Sequence, residues 1–150
     1  MHEPWTEARI YQDGLPDTRP DIVERIVSDI DSPNYRLVRW LISRGAVALG
    51  TEDPVLLQEE YELVRASIAD DAARQAYAAR AAGLLAERDH YIAARIGATL
   101  PPGGAGVLFI GLHHAVARML PGDVEVTSLR CCQELLPGMA GGLAGPAAEG

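Results

Sequence analysis

Residues 106–112 read Gly-Val-Leu-Phe-Ile-Gly-Leu, an unbroken apolar run bounded by glycine. Such a run is too short for a buried helix and has the length of a strand. Being apolar on both faces, it predicts a central parallel strand covered on each side. His113 and His114 follow at once, then a short helix as far as Leu120, and Pro121-Gly122 turns the chain.

Two further strands lie upstream. Residues 46–50 (Ala-Val-Ala-Leu-Gly) form a short apolar one, and residues 8–12 (Ala-Arg-Ile-Tyr-Gln) another, stopped by Asp13-Gly14 and Pro16. Helical patterns separate them. Ile22, Val23, Ile26, Val27 and Ile30 recur on one face of a helix over about 20–31. Ser32-Pro33 combines an N-cap with proline at the first helical position. The helix it opens turns Leu37, Val38, Leu41 and Ile42 inward and ends at Gly45. Thr51-Glu52-Asp53-Pro54 opens a third helix, with Leu56, Leu57, Tyr61, Val64 and Ile68 on its inner face. A fourth, longer helix runs from about Asp70 to Thr99 and is broken by Pro101-Pro102-Gly103-Gly104. After Pro121-Gly122, Val124-Glu125-Val126 alternates and predicts an edge strand.

Strands separated by helical crossovers imply an α/β fold. The expectation is a small, mostly parallel sheet of about four strands, in two or three layers. A single domain would cover residues 1–136. Residues 137–150 are dominated by Gly, Ala and Pro and predict a disordered tail.

Composition narrows the partners. The net charge is −8, and the whole negative excess lies in residues 1–71. That field repels phosphate backbones and anionic lipid, which argues against nucleic-acid and membrane-surface binding. Every basic residue is Arg, so a Schiff-base or P-loop lysine is excluded. Cys131 and Cys132 are adjacent, which disfavours a disulfide and reads as reduced thiols of a cytoplasmic protein. The first residues have neither the basic nor the apolar region of a signal peptide. No apolar stretch reaches membrane-spanning length.

In a parallel sheet the carboxyl ends of the strands share one edge, where ligands usually bind. Three polar pairs fall there: Gln12-Asp13, Glu52-Asp53 and His113-His114. Carboxylates with imidazole serve as a divalent-metal site or an acid/base pair. Asp53 precedes proline and reads better as an N-cap. Asp13 is either a site residue or the acceptor of an Asx-turn. Glu52 has no cap role and is the best carboxylate. Of the histidines, one has the alternative of bonding a helix terminus. In the fourth helix Arg88 and Arg95 fall within the apolar face marked by Tyr77, Ala81, Leu84, Leu85, Tyr91, Ile92 and Ile96. A buried Arg needs an anionic partner. Arg88 therefore either forms a structural ion pair or snorkels outward, or it reaches the strand ends to pair with Glu52 or hold a substrate anion. His90 points away from that face. The glycines at 103–106 precede a strand, and so fail the context of a phosphate loop. There is no Gly-x-Ser-x-Gly elbow.

Glu87-Arg88-Asp89, the helical stretch ending near Leu100, and the run Val107 to His114 resemble the C-terminal half of the TraB/Tiki and erythromycin-esterase/ChaN-like superfamily. There an acidic-Arg-Asp/Asn helix precedes an apolar strand and a Gly-x-x-His motif. Gly111 to His114 match that spacing, which favours His114 over His113. Gly50-Thr51-Glu52, followed by a helix with Gln58, looks like the family's glutamate segment. The resemblance covers roughly residues 46–130. It implies a hydrolase with a divalent metal bound by His114 and Glu52, in which Glu52 is a ligand or general base and Arg88 orients. The family also carries a Gly-x-x-His near its N-terminus, which this sequence lacks. A truncated or degenerate site would account for that. Two functions are thus expected. One is a metal-assisted hydrolase of a small-molecule or peptide substrate. The other is a non-catalytic domain binding a small ligand or a protein. Homo-oligomerisation, completing the site between chains, is a third possibility.

Overall fold

The computed structural model describes residues 5–129. Strand β1 spans Arg9–Gln12, followed by helices α1 (Pro20–Asp29) and α2 (Pro33–Ile42). Strand β2 (Val47–Ala48) leads to α3 (Pro54–Ser67) and the long α4 (Asp71–Thr99). Strand β3 (Gly106–Phe109) and a 3-10 turn at Val116–Arg118 complete the order.

Local chemistry sets the helix boundaries. Proline opens α1, α2 and α3, where its missing N–H goes unused. Ser32 Oγ accepts from Tyr35 N at 3.3 Å, Asp53 Oδ1 from Val55 N at 2.8 Å, and Asp70 Oδ1 from Ala73 N at 2.7 Å. At the end of α2, Gly45 takes φ +95. Its N–H donates to Ile42 O at 2.9 Å, while Ala46 N–H donates to Leu41 O at 3.2 Å. This is a Schellman cap, and Leu41 and Ala46 share one buried cluster beside it. The cap aims the chain directly into β2.

The sheet is parallel, in the order β2-β1-β3. Alternate residues of β1 feed different cores. Ile10 packs with Val23 and Val27 of α1 and with Tyr35, Val38 and Leu41 of α2. Tyr11 packs with Ile92, Ala93 and Ile96 of α4 and with Val116. Both β1 residues are at most 1% exposed.

The centre of the sheet is therefore β1, whereas the sequence places β3 there. The residues of β3 are exposed or half-buried, and Leu112, at the end of the apolar run, is 98% exposed. Unbroken apolarity reports a tendency to burial and carries no information about position in the sheet. Three strands are present among the described residues, and Val124–Val126 is not a fourth; Val124 N instead closes a turn onto Pro121 O at 3.0 Å. A three-residue alternation has too little periodicity to specify a strand. The inner face expected of α3 is also displaced: Leu56 and Leu57 are half-buried, but Tyr61 and Ile68 are exposed. Helix α3 packs chiefly on α4, so only a narrow strip of it is covered. In α2, Tyr35 is buried in place of Leu37 and Ile42. Cys131, Cys132 and the segment 137–150 lie outside the described residues. No described helix is long and apolar enough to cross a membrane.

On the surface of the α3–α4 pair, Arg80 Nε bonds Glu59 Oε1 and Arg80 NH1 bonds Glu87 Oε1, both at 2.7 Å. The bond from Arg80 holds each carboxyl below the ordinary glutamate value. A depressed folded value stabilises above the unfolded value of 4.5 and loses that stabilisation as pH falls through the folded one. Helical circular dichroism at low salt should therefore show the pair loosening below that value. Arg80→Ala should flatten the acid limb, and added salt should do the same.

Candidate active site at the strand ends

The parallel register does bring the polar strand ends to one edge, but it divides them into two groups. The first is built on Glu52. A bridge between Pro16 and Glu52 extends the β1–β2 pairing past the strands. Gly50 permits this close crossing, since a Cβ there would lie 2.4 Å from Pro16 O and 2.6 Å from Asp17 Cα. Glu52 is thereby carried inside and is 0% exposed. Its Oε2 accepts from Arg88 Nε at 2.5 Å, and its Oε1 from Arg88 NH2 at 2.7 Å and from Gly14 N at 2.7 Å. Arg88 NH1 also reaches Glu60 Oε2 at 2.7 Å. The bond to Glu52 raises the guanidinium above its ordinary pKa, against the opposing effect of burial. Arg88 is thus a buried clamp between α4, the loop after β2 and the turn after β1. Arg95, the other arginine of that face, bonds Gly50 O at 3.0 Å and Asp17 Oδ1 at 2.9 Å.

The second group centres on His114. Its Nδ1 lies 2.5 Å from Asp89 Oδ1, and Asp89 Oδ2 accepts from Ala115 N at 2.7 Å. A carboxylate can only accept, so the ring proton sits on Nδ1 and leaves Nε2 as the open nitrogen. Nε2 faces Asp13 Oδ2 at 3.8 Å, beyond hydrogen-bond length; the carboxylate attracts the ring only once Nε2 has taken up a proton. Asp13 is fixed from two sides, with Oδ1 accepting from Gln12 Nε2 at 2.9 Å and Oδ2 from Gly111 N at 3.0 Å. Its charge reaches Tyr35 as well, adding to burial in pushing that phenol above its ordinary value. The side chains of His114 and Asp89 are 7% and 3% exposed, while Asp13 retains 28% and opens to solvent.

Asp13 and His114 therefore come together, and Glu52 and Arg88 form a separate buried pair behind them. His113 is exposed on the turn and His90 is exposed on α4, where its Nδ1 bonds Ala86 O. Asp53 is the N-cap of α3. In the sequence Asp89 stands out only as part of the Glu87-Arg88-Asp89 motif, without a role at the site. Its signal was available: Asp89, Ile92, Ala93 and Ile96 follow the i, i+3, i+4, i+7 spacing of a buried helix face, and all four are buried.

The divalent metal expected on His114 and Glu52 does not fit this arrangement. Both oxygens of Glu52 carry hydrogen bonds, and a guanidinium lies against them. His114 Nδ1 is occupied by Asp89, leaving Nε2 and Asp13 as a donor pair. Among the described residues no group of three or more His, Cys, Asp and Glu could hold an ion; tetrahedral sites require three or four protein ligands. Two surface hollows lie away from this edge, one along Pro54, Val55, Gln58, Glu59 and Glu62, and another between α1, α2 and β2.

Comparison of the chain with protein-family models, with curated proteins and with solved structures found no match.

Proposed function

We propose that this protein is a hydrolase that works by general-base chemistry at His114, without a metal in the reacting set. The observation that carries the reading is the Asp89–His114 pair, with Nε2 directed at Asp13 on the strand-end edge. Asp89 fixes the tautomer and the ring orientation. Nε2 then takes a proton from water or from a substrate hydroxyl. The resulting imidazolium lies between two carboxylates, Asp89 and Asp13, which stabilise its charge. The open side of Asp13 admits a small-molecule or peptide substrate. Glu52 and Arg88 act at one remove: they hold the Gly14 turn, and with it Asp13, in place.

A second reading is a domain derived from such an enzyme that binds a ligand or a protein without reaction. The observation favouring it is that two hollows lie along α3 and between α1, α2 and β2, on surfaces that do not include His114.

Purified protein treated with chelator and assayed on a panel of activated esters and amides separates the two. Hydrolysis that survives chelation and is lost in His114→Gln with the fold intact is the expected result. Turnover restored only by added divalent ion would sink the metal-free base. No turnover on any substrate, with intact fold, would favour the binding domain.

A further inference from the structure

We infer that Gln12 is a positioning residue for Asp13, and that its own unbonded buried acceptor is retained for that task. The inference rests on the reading of His114 as a base. Gln12 ends β1 and is 4% exposed. Its Nε2 donates to Asp13 O at 3.1 Å and to Asp13 Oδ1 at 2.9 Å. Its Oε1 is buried with no hydrogen-bond partner among the described residues. Exchanging the two ends of the amide gives no relief, because the oxygen would then face two acceptors.

An unbonded buried acceptor destabilises a fold, and an apolar side chain of similar length would remove the defect. The backbone of Gln12 makes no demand for this side chain, since its N–H is met by Thr51 Oγ1 at 3.1 Å. What glutamine adds is its hold on Asp13. The carboxylate of Asp13 has two fastenings, Gln12 on Oδ1 and the Gly111 N–H on Oδ2. Together they set its plane and keep Oδ2 facing His114 Nε2. With Gln12 removed, the carboxylate turns about the single bond to Gly111. A local defect retained beside a reactive group, where an apolar residue would fold better, is the pattern expected of a residue kept for function.

The test compares Gln12→Met, Asp13→Asn and the double variant in the full chain. The unfolding midpoint of Gln12→Met should equal or exceed that of wild type. Its kcat for ester hydrolysis should fall about tenfold with KM nearly unchanged, as for a misplaced group. The imidazole nitrogen NMR shifts of His114 should move in the same direction as in Asp13→Asn. The double variant should go no further than Asp13→Asn alone in either readout. A midpoint more than about 3 °C below wild type, or effects that add in the double variant, would overturn the inference. If wild type hydrolyses nothing, the functional reading fails, while the midpoint and the nitrogen shifts still decide the role of Gln12.

Discussion

Arg88→Met should destabilise the protein by about 3–5 kcal/mol, the range for removing one partner of a buried ion pair. Glu52 would be left charged at 0% exposure, with only the Gly14 N–H to compensate it. Urea unfolding followed by circular dichroism reads the loss directly. Methionine keeps most of the arginine's volume, so the change tests charge rather than packing. The companion variant, Glu52→Leu with Arg88→Met, removes both charges and should lose less than Arg88→Met alone, because two desolvated groups disappear together. A loss under about 1 kcal/mol for Arg88→Met would mean that Glu52 escapes to solvent and that the clamp is not formed. The consequence reaches the site: Glu52 holds Gly14, and Gly14 follows Asp13 in the chain. A loosened clamp should therefore lower activity in variants that still fold.

The second large effect is on catalysis. Asp89→Asn should lower kcat by about 10²–10⁴-fold with little change in KM, the range for losing a positioned general base. An asparagine amide can donate to Nδ1, which drives the ring proton to Nε2 and closes the open nitrogen. The fold should survive, since the asparagine oxygen can still accept from Ala115 N. His114→Gln should cost as much, and the double variant no more than either single one, because the two residues act as a unit. Steady-state kinetics on the best substrate of the panel, with imidazole nitrogen shifts reporting the tautomer, check both points. Activity in Asp89→Asn within about threefold of wild type would remove Asp89 from the mechanism.

Much of the frame was legible in the chain. Proline and N-cap pairs at Ser32-Pro33 and Asp53-Pro54 marked two helix starts, because capping is chemistry between neighbours. Gly45 marked the end of α2 for the same reason. Helix-strand alternation predicted parallel pairing, and the three pairings observed, two between strands and one beyond them, are parallel. Arg88 stood out as a charge within an apolar face, and it pairs with Glu52, one of the partners expected of it, and also with Glu60. Less was legible where exposure depends on a neighbour. Tyr61 and Ile68 carry the right spacing for an inner face, but among the described residues no element covers that side of α3.

By itself the sequence determined the α/β class, the starts of α1, α2 and α3 and the gathering of Asp13, Glu52 and His114 at one edge. All of these follow from local periodicity, capping and the direction of parallel strands. Only the tertiary structure decided which residues of that edge are bonded to which protein partners. It gave Glu52 to Arg88 and Gly14, gave His114 to Asp89, and left Asp13 facing the open ring nitrogen. The physical reason is saturation: a carboxylate's availability depends on which donors converge on it in space. Those donors come from α4 and from the turns after β1 and β3, at separations in the chain that no local pattern spans.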